Sequence, residues 1–309
     1  MVVVENVVIT VGKGGVGKTT VSILLSLILS DVGNTLLYSL DPAKHLIKYL
    51  GVKEPMKYFR IGKTLTAYQL DIDIALNTIL DHYVELIRGV SPSLSVLNLD
   101  NVVNTIKYSP GVEEEVFMRE LEKLFNQHEY RYVVIDTPPT GITLRTLIMP
   151  KLYGLWIDKL IEIRERILSL RYSIARTLGR EFKIRDPVLE KLYEMREMYK
   201  TLWERVRSAT TSFVIVANPE VMPLLEVLDV IKFLKKELGV DPKLLVMNKY
   251  VESLETADII EEFNKLPYRK VIVPKVERPP AKLDDVVELS KLVNREEVLN
   301  ALSGLSPHG

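Results

Sequence analysis

A glycine-rich stretch near the amino terminus, Gly12-Lys13-Gly14-Gly15-Val16-Gly17-Lys18-Thr19-Thr20, constrains this chain more than any other feature. Gly12, Gly17, Lys18 and Thr19 fit the spacing G-x-x-x-x-G-K-[ST] of a phosphate-binding loop. Its surroundings are those the motif requires. The apolar run Val7-Val8-Ile9-Thr10-Val11 reads as the buried end of a strand over residues 2–11, and an apolar helix is expected from Thr19 to Ser30, with Gly33 placed to end it. Glycines let the backbone N–H groups of Gly14, Gly15, Val16 and Gly17 converge on one point, and the dipole of the following helix adds positive potential there. Lys18 is expected to reach the β- and γ-phosphates of a nucleotide and the Thr19 hydroxyl to ligate Mg²⁺, with Thr20 beside them. A ligand-free tight turn would need all four motif positions and both flanking elements to coincide.

The carboxyl ends of the next core strands carry the acidic residues such a site needs. Thr35 to Leu40 is expected as a strand ending at Asp41-Pro42-Ala43. In doubly wound sheets ligands sit at the carboxyl ends of strands, so Asp41 is placed beside the γ-phosphate. There it can orient the attacking water or accept its proton late in the transfer. The alternative is an ordinary Asp-Pro turn. Tyr132 to Asp136 is a third core strand, and an aspartate closing a β-branched run is the Walker B pattern, holding Mg²⁺ directly or through water. Gly141, a few residues on, can turn its N–H to the γ-phosphate and so sense ATP against ADP. Strands are also expected over Phe213–Ala217, before Asn218-Pro219-Glu220, over Lys243–Met247, before Asn248-Lys249, and over Val271–Val273. Helices are expected from about Pro223 to Leu238 and Glu252 to Phe263, with one or two more reaching residue 304. Asn248 offers a donor and an acceptor to an adenine edge, with a helix cap or turn as the competing role.

Two stretches interrupt this alternation. Residues 42–128 read as mainly helical, with Ile74, Ile79, Leu80 and Tyr83 at rough helical spacing until Gly89 to Pro92, then a second pattern from Glu113 to about Phe125. Residues 146–211 form the second. Leu152, Leu155, Trp156, Leu160, Ile163, Ile167, Leu170, Ile174 and Leu178 keep helical spacing, while Ile157, Ile161 and Leu168 widen the apolar face beyond one stripe. A further helix is expected from Val188 to about Arg207. These helices either pack on each other and on the core, or leave apolar surface for another protein's helix. The expected architecture is thus α/β: one domain over residues 1–309, a mostly parallel P-loop sheet flanked by helices, with helical insertions at about 42–128 and 146–211 forming a subdomain.

Composition narrows the partners. The 41 basic and 41 acidic residues cancel, which argues against a nucleic-acid binder that works by phosphate neutralisation. No apolar run approaches a membrane span, and the early strand carrying Glu5 is unlike a signal peptide, so a cytoplasmic protein without stable membrane insertion is expected. The chain has no cysteine, hence no disulfide, no cysteine zinc site, no iron–sulfur cluster and no thiolate capture of arsenite.

Lys13, directly after the first glycine, gives K-G-G-V-G-K-T-T, which resembles the deviant Walker A loop of the SIMIBI NTPases. In that class the extra lysine reaches the nucleotide of the other subunit, which implies ATP hydrolysis by a face-to-face homodimer. Asp136-Thr-Pro-Pro-Thr-Gly-Ile-Thr-Leu-Arg145 resembles the switch II signature D-T-A-P-T-G-H-T-L-R of the Get3/TRC40 and ArsA ATPases, and Asp41-Pro-Ala resembles their switch I D-P-A-H. Leu70-Asp71-Ile72-Asp73 and Pro110-Gly111-Val112-Glu113-Glu114 are similar to two further stretches, more loosely. The resemblance implies an ATP- and Mg²⁺-dependent enzyme in which Lys13, Lys18 and Asp41 serve hydrolysis. It also implies that Pro219, Glu220 and Asn248 lie near the base, and that the insertions hold the transmembrane segment of a tail-anchored client delivered to a membrane receptor. An ArsA-type metalloid-pump subunit and a ParA/MinD-like positioning ATPase are the alternatives. Departures are visible: Lys44 stands at the histidine of D-P-A-H, with His45 following, Ile142 replaces the switch II histidine, and Glu226-Val227 stands for the usual E-T. The cysteines that hold a bridging zinc in many Get3 dimers are absent, so no zinc is expected.

Overall fold

A computed structural model describes residues 4–52, 54–90, 109, 111–179 and 185–303; Pro92 and Pro110 lie outside them. Among the described residues eight strands form one sheet. In chain order they are β1 (Asn6–Val11), β2 (Thr35–Ser39), β3 (Tyr58–Ile61), β4 (Leu65–Gln69), β5 (Tyr132–Asp136), β6 (Thr211–Ala217), β7 (Leu244–Tyr250) and β8 (Lys270–Pro274). The spatial order is β3-β4-β2-β5-β1-β6-β7-β8. All neighbours are parallel except β3, which turns back antiparallel on β4 at the edge.

The central strands read as continuous apolar runs because both faces are covered. On one face Ile9, Tyr38, Ile135 and Ile215 pack under α3 (Ile72–Val90), α4 (Val112–Asn126), α5 (Thr140–Thr177), α6 (Pro187–Val206), α7 (Val221–Phe233) and α8 (Leu254–Lys265). On the other, Val8, Leu37, Val134 and Val246 pack under α1 (Lys18–Ser30), α9 (Leu283–Ser290) and α10 (Arg295–Leu302), with Leu46 of the short α2 (His45–Leu50). The end of α7 continues as a π-helical turn, Leu234–Leu238, stopped by Gly239 at φ +71°.

Residues 42–128 are not as purely helical as their sequence suggests. Tyr58–Ile61 and Leu65–Gln69 are sheet strands, because the short run Leu-Thr-Ala-Tyr-Gln carries strand-forming residues whose apolar members are buried under the neighbouring helices. β7 runs to Tyr250, so Asn248 sits inside a strand. Among the described residues no helix is long and apolar enough to cross a membrane.

Candidate functional site

The glycine-rich loop leaves β1 at the carboxyl edge of the sheet, wedged against β6. A Cβ on Gly12 would lie 2.3 Å from the Val216 carbonyl oxygen, so this position admits only glycine. Gly17 caps α1 at φ +90°, and the first N–H groups of that helix have no acceptor within it. Lys18 is buried, and its Nζ donates to the carbonyl oxygens of Gly12 at 2.8 Å and Lys13 at 3.2 Å. Burial pushes its ammonium below the usual lysine value, while the charges of Asp136, Asp41 and Glu226 oppose that shift. A cleft of about 340 Å³ opens over the loop, walled among others by Gly14, Asp41, Tyr49 and Pro139. Thr20 meets the Tyr49 hydroxyl in its wall at 2.8 Å.

Asp136 closes β5 opposite Ser39 of β2 and Thr10 of β1. Its Oδ2 accepts from the Thr19 hydroxyl at 2.9 Å and the Ser39 hydroxyl at 3.1 Å. Burial raises its carboxyl from 3.8 to about 6; the Thr19 bond opposes this and the neighbouring Asp41 charge adds to it. A hydroxyl and a carboxylate side by side beneath a phosphate loop are the hard oxygen donors that suit Mg²⁺, so the residues present fit that ion.

Asp41 follows β2 and does two things. Its Oδ1 accepts the Ala43 N–H at 3.1 Å, which is the local turn, and its Oδ2 lies 3.2 Å from His45 Nδ1. Lys44, at φ +52°, turns its ammonium to Asp71 at 2.5 Å. His45, one position after Lys44, thus reaches Asp41, and Lys44 ties the segment to Leu70–Asp73. Gln69, fully buried at the end of β4, donates to the carbonyl oxygens of Asp41 and Leu70, both at 3.1 Å. Its only sequence signal is a polar residue ending a strand missed above.

Helix α5 starts inside the switch II stretch, with Pro139 as its cap and exposed Gly141 in its first turn, where an N–H lacks an intrahelical acceptor. Thr143 donates to the Pro138 carbonyl oxygen at 2.9 Å, and the Thr140 hydroxyl donates to Glu226. Arg145 donates to buried Glu114 at 3.1 Å, joining two stretches singled out separately in the sequence. Ile142 packs half-buried against the core.

On the far side of the loop, Pro219 and Glu220 lead into α7, and the buried Oδ1 of Asn218 has no hydrogen-bond partner. Asn248 Nδ2 donates one of its two N–H groups to the Val16 carbonyl oxygen at 2.7 Å, so the amide keeps Oδ1 and one N–H for another partner. Lys13 is exposed.

Beyond switch II, α5 extends away from the sheet and packs on α6 through Ile157 and Ile161, through Tyr153 stacked on Tyr199, and through Arg164, 2.7 Å from Asp186. The regular stripe of this helix faces the other way. Leu152, Trp156, Leu160, Ile163, Ile167, Leu170, Ile174 and Leu178 are all exposed, Trp156 at 73%. Ile157 and Ile161, which widen the apolar face, are its packing side. Met118 is core, and Met149, Met195 and Met198 are partly buried against the core.

Residues 5–275 match the family of anion-transporting ATPases. The chain is 29% identical over 241 residues to a putative arsenical pump-driving ATPase 2 of Aquifex aeolicus, covering 77% of this chain and 78% of that one. It is 28% identical over 242 residues to the ATPase GET3 of Malassezia globosa, covering 77% and 70%. It is 26% identical over 257 residues to an ATPase ASNA1 homolog of Entamoeba histolytica, covering 80% and 77%.

Proposed function

This chain belongs to the anion-transporting ATPase family and is an ATPase, and from that premise we propose that it is a homodimeric targeting chaperone. ATP controls an apolar groove that carries the transmembrane helix of a tail-anchored protein. The observation that carries this reading is the exposed stripe on α5. From Leu152 to Leu178 it spans about 39 Å at the helical rise per residue, enough to cover a membrane-spanning helix across a hydrocarbon core of about 30 Å. An apolar stripe of that length left in water is a binding surface by its size.

In the proposed chemistry the N–H groups of Gly14 to Thr20 and the Lys18 ammonium hold the phosphates of ATP. Thr19 and Asp136 would hold Mg²⁺, which would supply charge neutralisation at the phosphates. Asp41 orients the water and takes up its proton, with His45 fixing the carboxylate's direction. Gly141 presents an N–H to the γ-phosphate, so its loss is felt at the start of α5 and passes along that helix to the stripe. Exposed Lys13 is left for the nucleotide of a second subunit, and Pro219, Glu220 and Asn248 for the base. The exposed Val221, Met222, Leu225 and Leu228 of α7, and Leu254 of α8, support burial of this edge against a second copy. The Aquifex aeolicus relative is named for an arsenical pump, but this chain has no thiolate with which to take arsenite.

Co-expression with a tail-anchored segment tests the reading. A soluble complex should survive purification with the apolar tail and be lost when that tail is made polar. No complex, with ATP binding intact, would leave an ATPase with another client.

A further inference from the structure

The carbonyls of the phosphate loop are held from outside it. Lys249 Nζ donates to the Gly15 carbonyl oxygen at 2.9 Å, and its neighbour Asn248 donates through Nδ2 to the Val16 carbonyl oxygen at 2.7 Å. Consecutive residues of β7 therefore grip consecutive peptides of the loop. A trans peptide is planar, and its C=O and N–H point in opposite directions. Drawing the Gly15 carbonyl toward Lys249 turns the Val16 N–H the other way, and drawing the Val16 carbonyl toward Asn248 does the same for the Gly17 N–H. These N–H groups lead into the amino end of α1, where an anion is best placed. Lys18 grips the opposite limb through the carbonyls of Gly12 and Lys13.

Two details mark the Lys249 contact as built into the fold. Its backbone stands at φ +56°, a left-handed conformation that a lysine rarely adopts, at the point where its side chain turns back to the loop. Contact with β7 is also tight, since a Cβ on Gly17 would lie 2.3 Å from Asn248 Nδ2 and 3.9 Å from Lys249 Cε.

We propose, resting on the nucleotide reading of this loop, that Lys249 is a positioning residue of the ATPase site. It presets the Val16 N–H for the phosphates of the bound nucleotide, with Asn248 setting the next peptide. An N–H aimed in advance binds substrate and transition state alike, so its loss appears in affinity and not in turnover.

The test is nucleotide titration and steady-state kinetics on the wild type, Lys249→Met and Lys249→Arg. Loss of one charge-assisted hydrogen bond at an exposed position should weaken ATP and ADP equally, roughly five- to tenfold. KM for ATP should rise in step, kcat should stay within about twofold, and Lys249→Arg should recover most of the affinity. The thermal midpoint of the nucleotide-free protein should not move. Unchanged affinity in Lys249→Met would overturn the proposal. A loss confined to ATP would do so too, because it would put the ammonium on the γ-phosphate, and a lowered midpoint with uniform loss would make the role one of folding. If the wild type binds neither nucleotide, the reading of the loop fails first and this role fails with it.

Discussion

Asp136, proposed above as a metal ligand, is a buried carboxylate that works against the fold. Its carboxyl is lifted from 3.8 to about 6, chiefly by burial. Between those values the folded chain keeps a proton that the unfolded chain has lost, so this residue's contribution to stability falls as pH rises through that window. Above about pH 6 it remains a buried charge awaiting a cation. Asp136→Asn should therefore raise the melting temperature of the nucleotide-free protein at pH 7.5, by roughly 2–4 °C for each kcal/mol recovered, while abolishing Mg²⁺-dependent hydrolysis. Calorimetry that finds the variant less stable at that pH would refute this. In the wild type, kcat/KM for Mg²⁺-ATP, which reports the free enzyme, should fall as pH drops below about 6, where the proposed metal ligand takes up its proton.

Helix α5 divides at the scale of the element into a packing side and an open side, and the two predict opposite responses. Ile161, 5% exposed against α6, should cost about 2–4 kcal/mol on truncation to alanine, read by denaturant unfolding. The double change Leu160→Asp with Ile167→Asp, on the open side, should leave the unfolding midpoint within experimental scatter and abolish client capture. Equal destabilisation by both variants would mean that the stripe packs against the chain itself. Periodicity revealed this helix but not its orientation, since a stripe waiting for a partner is as regular as one facing a core. The same limit applies at the site. That Gly12, Lys18, Thr19, Asp41 and Asp136 gather around one loop was legible in fixed spacing and strand ends, the pattern on which the proposed phosphate and metal roles rest. The grip of Lys249 on Gly15 and of Gln69 on switch I was not, because they join residues far apart in sequence through contacts that leave no pattern. The strands β3 and β4 were missed because they are short and lie between helices.

At the scale of the molecule, the site and the stripe are the two ends of one helix. α5 begins at switch II, and Arg145 ties it to Glu114 of α4 before it leaves the sheet. In the proposed cycle a change at the γ-phosphate would reach the stripe along this one helix, which carries Pro150 between its start and Leu152. The proposed second subunit completes the site through Lys13, so Lys13→Ala should weaken ATP-dependent dimerisation by an order of magnitude or more, as for loss of a buried ion pair to phosphate. Sedimentation that finds a monomer with and without ATP in the wild type would contradict the dimer. The most direct measurement follows retention of a fluorescent tail-anchored client after Mg²⁺-ATP is added, in the wild type and in Asp41→Asn. ATP binding is expected to survive this substitution and turnover to be lost. The account predicts that the wild type releases its client as ATP is consumed while Asp41→Asn keeps it. Identical release from both proteins would separate the ATPase from the groove and contradict the account.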